Sequence, residues 1–139
     1  MTLRHIILTV VGICGLIWLV NGLRTRNGHG VDAGTANSRI HQRFEIPADA
    51  KDVNYASTVW SSRADFSISK ASFLKWVDKR RWKLEEVRNG KHLFIPADSS
   101  LDSKMMSSGY VFDGMDGDVG YVGVYDDDLG RASVSYMTR

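Results

Sequence analysis

The strongest helix signal of the chain lies in Ser69-Lys-Ala-Ser-Phe-Leu-Lys-Trp-Val-Asp-Lys79. Phe73, Trp76 and Val77 recur at the i, i+3, i+4 spacing of one helical face, and charged residues occupy much of the rest of the wheel. Ser69 precedes the first turn, where its hydroxyl can cap the helix. The pattern predicts an amphipathic helix whose apolar face needs a second layer to cover it.

Short segments rich in β-branched and aromatic residues flank this helix and predict strands. These segments cover residues 44–46, 53–60, 63–68, 110–112, 119–125 and 131–137. Pro47 ends the first because proline cannot donate to a strand ladder, and Gly130 supplies the permissive backbone for the turn before the last. We therefore expect residues 44–139 to form an α+β domain, with a mainly antiparallel sheet and one main helix packed on a face.

Asn89-Gly90 has two interpretations. The pair is typical of a helix C-terminus and also of a two-residue hairpin turn. We favour a hairpin between residues 82–88 and 91–95, because this arrangement uses both the glycine and the apolar residues 93–95.

The N-terminal segment predicts a membrane anchor. Residues 5–23 contain nineteen residues without a Lys, Arg, Asp or Glu. As a helix they would cover about 28 Å, close to the thickness of the hydrocarbon core of a bilayer. Trp18 and the following Arg24 are typical of an interfacial boundary. We expect residues 1–23 to form a single-pass transmembrane helix, or uncleaved signal, in the cell membrane.

A cleaved secretory signal is the alternative, since Arg4 precedes an apolar region of signal-peptide length. No Ala-x-Ala cleavage pattern follows that region, so we favour the anchor. A short basic tail ahead of an apolar run is typical of export, and we therefore expect the domain on the extracytoplasmic side. Residues 24–43 are rich in Gly, Asn, Ser and Thr without an apolar period, which predicts a flexible linker.

Charge argues against a nucleic-acid partner. The formal charge is +2, but residues 1–43 carry five Arg and one Asp, so the rest has thirteen basic and fifteen acidic residues. The predicted domain is therefore mildly acidic and a poor collector of phosphate backbones. One basic cluster remains as a possible interaction surface for anionic groups. It consists of Lys79, Arg80, Arg81, Trp82 and Lys83, with Lys75 and Trp76 nearby.

Acidic residues concentrate in the last third of the chain. They are Asp98, Asp102, Asp113, Asp116, Asp118 and Asp126 to Asp128. Carboxylates from two loops can hold calcium, but residues 113–120 lack the EF-hand spacing and its bidentate Glu, so we predict no metal site. The same residues suggest two further alternatives: a small hydrolase using carboxylates of the final hairpins, and a head-to-tail contact with the basic cluster of another copy.

Other catalytic patterns are missing from the sequence. There is no Gly-x-Ser-x-Gly elbow and no dinucleotide or phosphate loop. Cys14 is the only cysteine and lies in the apolar segment, which excludes an intrachain disulfide. We expect no catalytic residues and no cofactor.

One motif resembles a known group of proteins. It consists of Ile46-Pro-Ala-Asp-Ala-Lys-Asp-Val-Asn-Tyr55, followed by a Phe-x-Ile-Ser strand end and Phe73-x-x-Trp76. The pattern resembles small uncharacterised bacterial proteins that have one N-terminal anchor and a small α+β domain opened by this motif. The resemblance implies a fold and a membrane address but no activity. Our expectation is a membrane-tethered, non-enzymatic domain that binds a protein or envelope component.

Overall fold

The computed structural model describes residues 3–40, 45–92 and 105–138. Its helices are α1 (Leu3–Leu23), α2 (Ala33–Arg39) and α3 (Lys70–Arg80). Its strands are β1 (Arg26–Val31), β2 (Lys51–Ser57), β3 (Ser61–Ser67), β4 (Lys83–His92), β5 (Met105–Asp116), β6 (Val119–Asp126) and β7 (Arg131–Thr138). All neighbouring strands are antiparallel, in the order β1-β2-β3-β7-β6-β5-β4. The α+β class is confirmed.

Helix α3 begins and ends through local capping. The hydroxyl of Ser69 accepts a hydrogen bond from the backbone N–H of Ser72 at 3.2 Å, which confirms the predicted N-cap. At the other end Arg81 adopts a left-handed conformation with φ 56°, and its N–H donates to the carbonyl of Asp78 at 2.9 Å. This cap closes the helix at Arg80, so the apolar stripe that continues to Leu84 and Val87 belongs to a strand.

An aromatic core joins α3 to the sheet. The ring of Phe73 stacks on Tyr125 with 4.5 Å between centroids, and its other neighbours include Phe112. Trp76 meets Phe66 edge to face at 5.7 Å, and its indole N–H donates to the carbonyl of Glu45 at 2.8 Å. Aromatic pairs of this kind add to the free energy of burying the rings. The predicted packing of one main helix on a sheet face follows from these contacts.

The predicted hairpin at Asn89-Gly90 is wrong. Both residues lie inside β4, which pairs with β5 rather than with residues 91–95. The register shifts between Arg88 and Lys91, so the pair sits at an irregularity of the ladder where a glycine is tolerated. Residues 93–95, the rest of the predicted second strand 91–95, lie outside the described residues.

The predicted strand at residues 44–46 is also wrong in its described part. Glu45 and Ile46 have no strand conformation, and Phe44 lies outside the described residues. A side chain replaces the strand partner: the amide of Asn37 donates to the carbonyl of Ile46 and accepts from its N–H, both at 2.9 Å. Ile46 is buried in consequence, with its backbone satisfied by one amide group.

The expectation of a flexible linker at residues 24–43 does not match the structure, which places β1 and α2 there. Gly28 of β1 lies against the ring of Tyr55 so closely that a Cβ atom would overlap it. Asp32 caps α2 by accepting hydrogen bonds from the backbone N–H and the hydroxyl of Thr35, at 2.8 and 2.6 Å. Ala36, a residue of α2, is fully buried. Residues 41–43 lie outside the described residues.

Helix α1 stands apart from this core. All of its described side chains, residues 7, 9–21 and 23, are exposed. Trp18 has 80% of its surface accessible. Within the part of the chain that the structure describes, no helix meets the length and apolarity needed to cross a membrane.

Candidate functional site

The two faces of the sheet differ because side chains alternate along each strand. Ala64, Phe66 and Val134 point to the core under α3, so their neighbours Asp65 and Ser133 point to the other side. We call this second side the open face. The open face includes Arg63 and Asp65 of the β3 segment Arg63-Ala-Asp-Phe, together with the residues of β7 that lie opposite them. Polar and apolar residues alternate along both strands.

Two rows of residues, polar except for Ala56, cross the open face. The first row aligns Asn54 of β2, Asp65 of β3 and Ser133 of β7. The second row aligns Asn27, Ala56, Arg63 and Ser135 across β1, β2, β3 and β7. Cross-strand registration therefore collects donors and acceptors from four strands in one place.

These rows line a concave groove. A cavity of about 400 Å³ lies over them, bordered also by His29 of β1. A second cavity of about 280 Å³ shares Ala56, Arg63 and Ser135 and continues toward Thr25 and Met137. We call the two together the open-face groove. Its length along the strands suits an extended or surface-bound ligand better than a small enclosed one.

An ion-pair network reaches the groove through Asp65, which lines it. Asp65 is only 3% exposed, and its carboxylate accepts hydrogen bonds from Nη2 of Arg131 at 2.5 Å and from Nδ2 of Asn54 at 3.2 Å. Nη1 of Arg131 also donates to Asp52 at 2.6 Å and to Ser67 at 2.9 Å. A buried carboxylate with a guanidinium partner and further hydrogen bonds keeps its geometry fixed.

Local backbone geometry aims one member of this network. Asp52 has a left-handed φ of 50° at a register irregularity of β2. From this position its carboxylate accepts a hydrogen bond from Arg131. Burial alone lowers the pKa of the Arg131 guanidinium, but hydrogen bonds to Asp65 and Asp52 outweigh burial and raise the pKa above its ordinary value. The guanidinium is therefore a permanent cation paired with Asp65.

The predicted basic surface is only partly at the surface. Trp82 is 8% exposed and stacks on Phe112 and Tyr121, at 5.2 and 4.9 Å between centroids, so it belongs to the core. Lys79 is exposed, and its Nζ lies 3.9 Å from a carboxylate oxygen of Glu45, as does Nη2 of Arg80. The exposed part of the cluster consists of Lys79, Arg81 and Lys83.

The described acidic residues of the two final turns lie at opposite ends of β6. Asp116 and Asp118 flank the β5–β6 turn, whereas Asp126 to Asp128 lie in the β6–β7 turn at the opposite end of β6. A strand of eight residues separates these turns by roughly 25 Å. In the second turn Asp127 pairs with Lys70 at 3.0 Å, and Asp128 accepts a hydrogen bond from Ser107.

This arrangement bears on the metal and hydrolase alternatives. The described residues contain no group of three or more His, Cys, Asp or Glu side chains positioned to hold a metal ion. Asp98 and Asp102 lie outside those residues.

The sequence interpretation missed the open-face groove. Its members were assigned to ordinary strands, and His29 and Asn27 were assigned to a linker. The alternation of Arg63-Ala-Asp-Phe-Ser67 and of Ser133-Val-Ser135 was the available signal, because it marks one polar and one apolar face. The pairing of β3 with β7 brings the two motifs together, and this pairing is not predicted by the local sequence.

Comparison with known proteins supplies no relative. No protein-family model, no curated protein and no solved structure matches the chain. A function must therefore be argued from the residues and geometry of the chain itself.

Proposed function

We propose that this chain is a membrane-tethered, non-enzymatic domain that binds a protein or envelope component through the open-face groove. The observation that carries the proposal is the groove itself, a concave surface with polar side chains from four strands, among them Asp65, which Arg131 holds in an ion pair. Loops usually provide variable binding surfaces, but a rigid sheet face presents hydrogen-bonding groups without an ordering cost.

The tether is proposed from the first residues. Residues 5–23 carry no charge, and the described side chains of α1 are exposed rather than packed on the domain. Exposed apolar side chains in such number need an apolar environment. Lipid provides that environment in a single-pass arrangement in the cell membrane, with the domain on the extracytoplasmic side. The resemblance to anchored bacterial proteins with an Ile-Pro-Ala-x-Ala-x-Asp-Val-x-Tyr motif supports the same address.

Binding is favoured over catalysis by the state of the groove residues. Asp65 is the buried acid of the groove, and the Arg131 guanidinium holds it as an ion pair. Its Oδ2 oxygen already accepts hydrogen bonds from Arg131 and Asn54. The hydroxyl of Ser135 and the amide of Asn27 also line the groove and offer neutral donors and acceptors, which suit recognition of a polar surface.

Site-specific photo-crosslinking tests the binding surface. A benzoylphenylalanine at Ser135, inside the groove, is introduced into the full chain in its native membranes. The matched control places the same residue at Ala71, an exposed position on α3 away from the groove. We expect a discrete cross-linked product from position 135 that Arg63→Glu in the same chain abolishes. Equal products from positions 135 and 71, or none from 135, would contradict the groove as binding surface.

Membrane extraction tests the tether. We expect the full chain to stay with membranes during an alkaline carbonate wash and to keep its N-terminal residues. Ile13→Arg places a charge in the middle of the apolar segment, where a cation costs about 2.5–3.5 kcal/mol on insertion scales, and should release the chain. Thr9→Ser is the matched control and should not. A mature protein found soluble and beginning after residue 23 would establish the cleaved signal instead.

A further inference from the structure

One end of the sheet gathers the exposed apolar residues of the domain. The register places the beginning of β1, the turn between β2 and β3, the end of β7 and the β5–β6 turn at the same end. We call it the proximal end, because α1 leads into it. Outside α1, six large apolar side chains of the described residues are exposed. They are Val59, Trp60, Met115, Val122, Leu129 and Met137.

Four of these six lie at the proximal end and are here called the apolar apex: Val59, Trp60, Met115 and Met137. Trp60 and Met137 are each 67% exposed. The backbone N–H and hydroxyl of Thr138 both donate to the carbonyl of Trp60 at 3.1 Å, which fixes the turn beside the end of β7. Met115 and Met137 lie in one cross-strand row, on either side of Gly120.

The connection to α1 is too short to keep this end away from the membrane. Helix α1 ends at Leu23 and β1 begins at Arg26, so three Cα steps separate them. Such a connection reaches about 11 Å at most. A tethered chain therefore holds the proximal end beside the lipid headgroups, whereas a flexible linker of twenty residues would have allowed roughly 25 Å.

Basic residues border the apolar apex on two sides. Arg24 and Arg26 lie at the β1 edge, and Arg81 and Lys83 lie at the β4 edge, since β4 also begins at the proximal end. Asp116 and Asp118 lie between these edges and oppose the cations. The net charge of the rim is therefore small, and we expect the apolar side chains to contribute more than headgroup electrostatics.

We propose that the apolar apex lies in the interfacial layer of the same bilayer that holds α1, so that the domain rests on the membrane through Val59, Trp60, Met115 and Met137. This inference rests on the proposed tether. Tryptophan prefers the membrane–water interface because its ring is apolar and its N–H is polar. A second copy of this chain is a less suitable partner for the apolar apex. Four side chains fall far short of the roughly 20 residues per side of a stable protein interface.

Fluorescence quenching by nitroxide-labelled lipids tests the contact in the full chain. Trp18→Phe removes the emitter within α1, and the remaining Trp76 and Trp82 are buried in the core. We expect vesicles with the nitroxide near the headgroup to quench this chain. Adding Trp60→Phe should reduce the quenched fraction by at least twofold. Leu129 lies at the opposite end of the sheet, so adding Leu129→Trp to the double variant provides an emitter that should stay unquenched.

The outcomes separate this inference from the tether. If the chain floats with vesicles and Trp60→Phe leaves the quenched fraction unchanged, the apex does not touch lipid, while the tether stands. Equal quenching of Trp at position 129 would likewise overturn the orientation. If the chain fails to float, the tether is wrong and this inference falls with it. Near-ultraviolet circular dichroism monitors the fold of each variant, and Trp60→Tyr replaces Trp60→Phe if that spectrum changes.

Discussion

The covered face and the open face of the sheet are built from the same strands and behave differently. On the covered face, Phe66 and Phe112 are fully buried and meet the aromatic residues of α3. On the open face, Asp65 and Ser133 are also buried, but their environment is polar and borders a groove. Removing apolar area from water stabilises the covered face, whereas the open face holds charged groups in a fixed arrangement.

The difference teaches that burial alone does not identify the core of this domain. Asp65 is as inaccessible as Tyr121, yet the two belong to opposite layers. Alternation along β3 and β7 separates the layers residue by residue. Variants on the two faces should therefore have different consequences for stability and for binding.

The largest effect is expected on the covered face. Phe112→Ala removes a fully buried ring that stacks on Trp82 and contacts Phe73. We expect the free energy of unfolding to fall by about 3–5 kcal/mol, as for other buried Phe-to-Ala changes. Urea unfolding of the full chain in detergent, followed by circular dichroism, measures it. The matched open-face change Val122→Ala, at a half-exposed position, should cost less than about 1 kcal/mol. Equal losses would break the distinction between the faces.

The next effect tests the open-face ion pair. Arg131→Met removes the cation that compensates the buried charge of Asp65, and we expect a loss of about 2–4 kcal/mol in unfolding free energy. Asp65→Leu combined with Arg131→Met should recover part of that loss, because neither charge then remains. The coupling energy of this double-mutant cycle is the measurement. A cycle that is additive would show that the pair contributes nothing as a unit.

A smaller effect tests whether β1 belongs to the sheet. Gly28→Ala places a methyl group against the ring of Tyr55, and we expect a loss of about 1–2 kcal/mol from the strain of overpacking. Gly120→Ala is the control, since its new methyl group would meet only Met115 at an ordinary 3.5 Å. The same urea experiment compares the two. If the unfolding midpoints of Gly28→Ala and Gly120→Ala are the same, residues 26–31 do not pack on the sheet as β1.

The smallest effect concerns pH and the cap of α2. Hydrogen bonds from the hydroxyl and the backbone of Thr35 lower the pKa of Asp32 below its ordinary value. A lowered folded-state pKa means that the carboxylate stabilises the fold above its unfolded pKa near 4, and that this contribution is lost as pH falls through the folded value. Asp32→Asn keeps a capping group without a charge. We expect Tm to fall less for Asp32→Asn than for the wild type between pH 7 and pH 3, and parallel curves would exclude the effect.

The sequence predicted the parts of the fold whose signals are local. The helix at residues 70–80 followed from apolar spacing and a capping serine, and strands near 53–57, 63–67, 119–125 and 131–137 followed from composition. The errors arose where a distant group decides the conformation. Residues 26–31 have little strand propensity, but the free edge of β2 and the ring of Tyr55 give them a partner. Ile46 takes its hydrogen bonds from one amide side chain of α2.

The candidate site was less predictable than the fold, for a related reason. Trp82 was grouped with its basic neighbours because they are adjacent in sequence, yet strand alternation turns its ring into the core. The groove depends on which strands are neighbours. β3 pairs with β7, so that Ser67 meets Arg131, 64 positions later in the chain, only in the folded sheet. Local patterns carry no information on such pairing.

The central position of β7 has a consequence for biosynthesis. β7 lies between β3 and β6 and is the only described strand that joins β1–β3 to β4–β6. A ribosome or a secretion channel that has released only residues up to 130 leaves two separate half-sheets with unpaired edges, which attract chaperones and invite misassembly. The sheet can close only after β7 has become available, so we expect the domain to complete its folding in a single late step.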